Sequence, residues 1–271
     1  MVYESMSYTE YAALPGWRWS HIKLLSRSPK HLKHALTVPD KDTTSRALLR
    51  AIHTLALEGR EVYEEEVVVF TGATRRGKVW DAFRVCNLGK TILKVGEDVL
   101  VRATAEAVRN HPAVAELMAE GRPELSLTWV DEATGLPCKC RIDWLGPLGV
   151  LDLKTIGTTD EREVARMVAR LQFAGQLAHY ADGIGANGLE VPAAYIVAAE
   201  GKGAQDVAVF ELDSGMPDGA LYVGAESRRG LMAQLAECVA SDEWPGRHET
   251  AQDLILPSWA LIDDEITFGE E

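Results

Sequence analysis

The stretch Cys140-Arg141-Ile142-Asp143-Trp144-Leu145-Gly146-Pro147-Leu148-Gly149-Val150-Leu151-Asp152-Leu153-Lys154-Thr155 constrains this chain more than any other. Gly146-Pro147-Leu148-Gly149 places Pro at the second turn position and Gly at the fourth, which marks a tight turn between two strands. A two-residue connection at Pro147-Leu148 predicts that Gly146 opposes Gly149, Trp144 opposes Leu151 and Asp143 opposes Asp152. Side chains alternate along a strand. One face then carries Arg141, Asp143, Asp152 and Lys154, and the other carries the apolar Ile142, Trp144, Leu151 and Leu153. Directly opposed residues have Cβ atoms roughly 4.5–5.5 Å apart. Two carboxylates at that spacing repel each other, and a shared divalent cation relieves the repulsion. A one-residue slip would send the acids of a whole strand to the wrong face; the sorting of charge from apolar residues argues against one. Taken alone, the pattern also fits an ordinary hairpin with a solvated polar face.

The remainder of the chain bounds the class. Its 271 residues, 46% hydrophobic and 25% charged, suit a globular protein with one large domain or two small ones. No apolar run approaches the roughly 20 residues that span a bilayer. The start, Met1-Val2-Tyr3-Glu4-Ser5, lacks a basic region followed by an apolar one, so the cytoplasm is the expected compartment. The cysteines at 86, 138, 140 and 238 have no zinc spacing and read as reduced thiols. Net charge is −13, which argues against a nucleic-acid partner until its distribution is considered. Residues 17–50 hold eight Lys/Arg (Arg18, Lys23, Arg27, Lys30, Lys33, Lys41, Arg46, Arg50) against Asp40 and Asp42. A basic surface on an acidic body can hold a phosphate backbone.

Along the chain, helices are expected over 17–37 (interrupted at Pro29, with Ser28 as N-cap), 45–58 (ending at Gly59), 97–120 (broken near His111-Pro112), 159–183 and 220–241. Strands are expected over 65–70, 124–131, 137–145, 149–155, 193–199 and 206–212, with a loop over 71–78 bearing Arg75, Arg76 and Lys78. Thr158 and Glu161 fit a capping box for the 159–183 helix. On that helix Gln172, Gln176 and Tyr180 recur every four residues and form one polar stripe. The expected architecture is a single domain over 1–271: a helical part at 1–60, a core at 61–262 and an acidic tail at 263–271.

The order is a helix with His53, a strand with Asp143, a strand with Asp152-Leu153-Lys154, then a helix with Gln176-Leu177-Ala178-His179-Tyr180. This order resembles the PD-(D/E)XK nuclease superfamily, and more narrowly its RecE-type (exodeoxyribonuclease VIII) and lambda-exonuclease-like branch. Ser28-Pro29-Lys30-His31-Leu32, Arg76-Gly77-Lys78-Val79-Trp80 and Leu256-Pro257-Ser258-Trp259 resemble the same branch. The resemblance implies an α/β fold with a central mixed sheet flanked by helices and a helical N-terminal extension. It implies an exodeoxyribonuclease that hydrolyses phosphodiester bonds with Mg2+ (Mn2+ substituting), 5′-to-3′ on double-stranded ends. A ring-like homo-oligomer and a single-strand annealing protein as partner in phage-type recombination and repair are implied as well. Asp143, Asp152, Lys154, Gln176 and Tyr180 take the catalytic positions; His53, Asp143 and Asp152 take the metal positions, with Glu124 a further candidate acid. His53 lacks the Gly often found four residues earlier in that family, Leu49 standing there. Arg75, Arg76, Lys78, Arg141 and Gln172 are the expected DNA contacts. Two other activities fit the fold: a structure-specific or single-strand endonuclease, and a non-catalytic DNA-binding adaptor.

Overall fold

The computed structural model describes residues 1–4, 6–38, 43–190, 193–213 and 215–257. The acidic tail at 263–271, Ser258 and Trp259 of the C-terminal motif, and Asp40, Lys41 and Asp42 of the basic segment lie outside the described residues. The chain opens with β1 (Val2–Tyr3), α1 (Tyr8–Ala13), α2 (Trp19–Ile22), which runs into a 3-10 turn, and α3 (Pro29–Thr37). Then come α4 (Thr44–His53), extended by a π turn over Thr54–Glu58, α5 (Arg60–Glu66), β2 (Val67–Phe70), α6 (Lys78–Cys86), β3 (Thr91–Lys94), α7 (Val95–Asn110) and α8 (Pro112–Leu117). The second half holds β4 (Arg122–Val130), β5 (Pro137–Gly146), β6 (Gly149–Ile156), α9 (Glu161–Leu171), α10 (Phe173–Ala186), β7 (Ala194–Glu200), β8 (Val207–Glu211) and α11 (Ala220–Ser241).

The central sheet runs β1-β4-β5-β6-β7-β8, with a separate β2-β3 pair. Only β6 and β7 are parallel within it, joined through α9 and α10; its other pairings are antiparallel. A parallel neighbour requires such a crossover, because a tight hairpin can only reverse direction. The sheet separates two apolar cores. Ile142, Val150 and Ile196 pack with Leu177 and Ile184 of α10 and with Met232 and Leu235 of α11. Leu151, Leu153 and Val197 pack with Ile52 of α4 and with Val101, Ala105 and Val108 of α7. Gly175 permits one close approach: a Cβ there would lie 2.1 Å from the Trp19 ring, so α10 seats against α2 only with glycine at this point.

The hairpin register is the expected one, with Gly146 opposite Gly149 and Trp144 opposite Leu151. The ladder stops there, one pair short of Asp143 and Asp152. Beyond that point β5 follows β4, β6 follows β7, and the Asp143 carboxylate fills the gap by accepting the Leu153 N–H at 2.8 Å. Ile142 and Trp144, expected on one apolar face, join different cores. The irregularity lies across from them, where Glu124, between Pro123 and Leu125 of β4, has φ +51°.

Two helical expectations and one strand boundary need correction. The single helix expected over 159–183 is two, because Gln172 adopts a left-handed conformation (φ 57°) between α9 and α10. No glycine marks this break; it is held by tertiary contact, the Trp19 indole N–H donating to the Gln172 carbonyl at 2.9 Å. The N-cap of α9 is Asp160, which accepts from the backbone of Arg162 and Glu163, in place of a Thr158–Glu161 box. The strand expected from Glu65 begins at Val67, because Glu65 and Glu66 close α5.

Candidate metal centre and cleft

The parting of β5 from β6 opens a cleft of about 840 Å³ that both cores border. Four elements deliver side chains to it. From α4, whose Thr43 N-cap accepts from Arg46, comes His53 in the last turn. From β4 comes Glu124, re-aimed by its left-handed backbone. Such a conformation costs a non-glycine residue roughly 1–2 kcal/mol, and the cost is offset where surrounding contacts hold it. Here the contact is Arg141, whose Nε donates to the Glu124 carboxylate. From the hairpin come Asp143, Asp152 and Lys154, and from α10 come Gln176 and Tyr180.

His53, Glu124 and Asp143 each offer a ligand atom within 4.8 Å of the other two. His53 Nδ1 lies 3.6 Å from Asp143 Oδ2. Burial, and then the charge of Asp152, push the Asp143 carboxyl up to about 7. Burial and Asp143 raise Glu124 as well. Burial lowers His53, which keeps its ring neutral and a nitrogen lone pair available. Two acids that resist ionisation beside a neutral imidazole are what a divalent cation relieves. Carboxylate oxygens with one imidazole suit Mg2+ or Mn2+, so the residues present fit such an ion.

Asp152 is not one of those three, although its charge acts on Asp143. It is fully buried, its Oδ2 sits 2.6 Å from Lys154 Nζ, and its Oδ1 accepts from Gln176 Nε2 at 3.0 Å. Gln176 also accepts from Lys154 Nζ at 3.2 Å and contacts the Tyr180 hydroxyl at 2.7 Å. Lys154 Nζ lies 4.6 Å from the Phe173 ring centre, a cation–π contact that further fixes the amine. The structure therefore brings together every residue of the sequence-predicted catalytic and metal sets, as two adjoining groups: His53–Glu124–Asp143 and Asp152–Lys154–Gln176–Tyr180.

The residues expected to contact DNA are dispersed. Arg141 lines the cleft but is engaged with Glu124 and with the Met6 carbonyl at 2.5 Å. Arg75 forms a two-pronged pair with Glu97 of α7 and donates to the Ile92 carbonyl of β3, so its charge is spent there. Arg76 and Lys78 are exposed near α6, and Gln172 forms the break before α10; none of the three lines the cleft. Instead, Arg18, Lys23, Arg46 and Arg50 of the basic segment do. Burial and the neighbouring Lys154 lower the Lys23 amine, so an anion between the two would ease their repulsion. Lys33 of the same segment pairs instead with Asp242 at 2.9 Å. Glu58 was not anticipated: burial and the nearby Glu124 push it up to about 7. Nothing in its local sequence marks it, since only the fold sets it near β4.

A mixed sheet with a splayed acid-bearing hairpin, crossed by helices that supply His and Gln-x3-Tyr, defines a PD-(D/E)XK-type protein. The chain belongs to the family described as "PDDEXK-like domain of unknown function (DUF3799)", whose model matches residues 19–256. Among solved structures it is similar to one described as "Putative exonuclease" from Eubacterium rectale, with a TM-score of 0.62 and 12% sequence identity over 93% of this chain and 96% of that one. At that identity the likeness shows the fold. No curated protein matches the chain. Among the described residues no helix is long and apolar enough to cross a membrane.

Proposed function

We propose that this protein is a divalent-metal-dependent deoxyribonuclease, working as a 5′-to-3′ exonuclease on double-stranded ends in the manner of the RecE-type branch. The observation that carries the reading is the convergence of His53, Glu124 and Asp143 within ligand distance beside the Lys154 amine. In this reading His53, Glu124 and Asp143 hold Mg2+, and Asp152 is the fourth donor. An ion held there would lower the pKa of a bound water and polarise the scissile phosphate. Lys154 orients that water and offsets the charge that builds on the phosphorane oxygens. Gln176 fixes Lys154 and Asp152 relative to each other through its two-sided amide. Burial and the charges of Asp143 and Asp152 hold the Tyr180 hydroxyl protonated, so it serves as a hydrogen-bond donor to substrate oxygen. Arg18, Lys23, Arg46 and Arg50 supply the positive wall along which an anionic strand enters. A ring-like assembly with that wall inward, and an annealing-protein partner in cytoplasmic phage-type recombination, complete the proposal.

The test is a timed digest of linear duplex DNA with one 5′ end blocked, beside a circular plasmid, in Mg2+ and in chelator. The expected result is loss of the open-ended strand only, the circle intact, and no product in chelator. A cut circle would make the protein an endonuclease. Binding without metal-dependent cleavage would make it an adaptor.

A further inference from the structure

The family match begins at residue 19, yet the cleft is walled in part by residues before it. α1 presents Tyr8 and Tyr11 to the cleft, their ring centres 6.3 Å apart. Tyr11 is buried, whereas Tyr8 is 52% exposed. An isolated six-residue helix does not persist in water, so something must hold this one. Its start is closed by a capping box between Ser7 and Glu10. Its end is held by the buried Lys139 of β5, whose Nζ donates to the carbonyls of Tyr11, Ala12 and Leu14 at 3.1, 3.1 and 2.5 Å. A cation at the carbonyl end of a helix is favoured there. Arg141, the partner of Glu124, anchors the preceding turn through the Met6 carbonyl. Trp17 then pairs by backbone with Pro137 and Lys139, and Gly16 (φ +127°) lies too close to Cys138 to carry a side chain. One buried and one half-buried cation thus hold the short helix that carries one exposed aromatic ring beside the cleft.

The acids lie deep: the Asp143 side chain is 13% exposed and that of Asp152 is fully buried. On the exonuclease reading, the strand end drawn down to that depth parts from its complement, and its bases lose their neighbours. Aromatic side chains replace such stacking at about 1–3 kcal/mol per base, with little regard to sequence. From this geometry we infer that Tyr8 is a stacking site for an unpaired nucleobase of the strand entering the cleft. The inference rests on the nuclease reading of the site. Tyr11 lies beside the ring, and Arg18 lines the same wall.

The experiment measures binding of a labelled oligothymidylate, and of an equally long strand with abasic residues, by fluorescence anisotropy. Ca2+ replaces Mg2+, and wild-type hydrolysis of linear duplex in Mg2+ is followed in parallel. Tyr8→Ala should weaken oligothymidylate binding about five- to a hundredfold. Tyr8→Phe should bind as the wild type does, and the abasic strand should bind equally to all three proteins. Unchanged oligothymidylate affinity in Tyr8→Ala overturns the stacking site, as does an equal loss on the abasic strand or a loss in Tyr8→Phe that matches Tyr8→Ala. If the wild type still degrades duplex DNA in that case, the nuclease reading stands without it. A wild type that neither binds nor hydrolyses DNA sinks both.

Discussion

α10 carries buried charge on both sides, and the two clusters differ in how their charges are met. Toward the C-terminal helix, Arg228 of α11 donates to Asp131 at 3.0 Å, pairs with Asp182 and donates through Nε to His179 Nδ1 at 3.2 Å. That donation fixes the tautomer: His179 is protonated on Nε2, which donates to the Lys139 carbonyl at 3.1 Å. Burial pushes His179 down to about 3, so the ring stays neutral. Burial opposes ionisation of Asp131, but hydrogen bonds from Thr134 and Arg228 outweigh it and hold that carboxyl below its ordinary range. Toward the hairpin the balance reverses. Asp143 and Glu124 are held above their ordinary values because each faces another acid in a buried place. The cluster in which Arg228 satisfies Asp131, although burial still raises Asp182, ties α11 to the sheet. A cluster whose acids repel is poised for a cation. Perturbed carboxylates in a cleft are functional candidates for that reason.

Four experiments break or sharpen this contrast. The largest expected effect is Arg228→Met. It strands buried Asp131, and breaking a buried pair costs about 3–5 kcal/mol. Urea unfolding should show a loss of that size, whereas a loss under about 1 kcal/mol would mean the network is not what holds α11. Next, Lys154→Met should keep its fold at assay temperature, with some stability lost because buried Asp152 loses its ion pair, yet lose about a hundredfold or more of DNA hydrolysis, as when a charge-stabilising group is removed. Near-normal turnover would remove Lys154 from the mechanism.

Third, Mg2+ binding, measured by calorimetry, should tighten with rising pH. Protons compete with metal for Asp143, so affinity should climb up to about tenfold per pH unit below pH 7 and level off above it. A flat profile from pH 6 to 8 would place the ion elsewhere. The smallest effect is Asp143→Asn in metal-free protein. The folded state holds the Asp143 proton up to about 7, against about 3.9 in an unfolded chain. Ionisation therefore costs the wild-type fold stability as pH rises between those values. The variant escapes that cost, and once the amide's own burial is counted it should be more stable at pH 8 by about 1 kcal/mol. Asp131→Asn should instead destabilise. Equal signs for the two would erase the distinction between the clusters.

The hairpin was legible because its determinants are short-range. Turn chemistry at Gly146–Gly149 and period-2 alternation set the register without help from distant residues. The same holds for the Pro112 boundary between α7 and α8 and for the Thr43 cap of α4. The order His53, Asp143, Asp152-x-Lys154, Gln176-x3-Tyr180 was likewise present in the residue string. α6 and β3 were not anticipated: β3 pairs with β2 and α6 packs Trp80 and Phe83 onto Phe70, contacts no local window contains.

What the sequence by itself determined is which groups exist and which face of its own strand or helix each favours, since pleat, pitch and capping act over a few residues. Tertiary structure alone decided where those faces meet. It parted β5 from β6 beyond Trp144, turned Glu124 through a left-handed backbone, broke the helix at Gln172 and brought α4, β4, the hairpin and α10 to one gap. These outcomes arise from packing between segments tens of residues apart. Burial there raises the pKa values of Asp143 and Glu124, a property that neither residue has in an isolated strand.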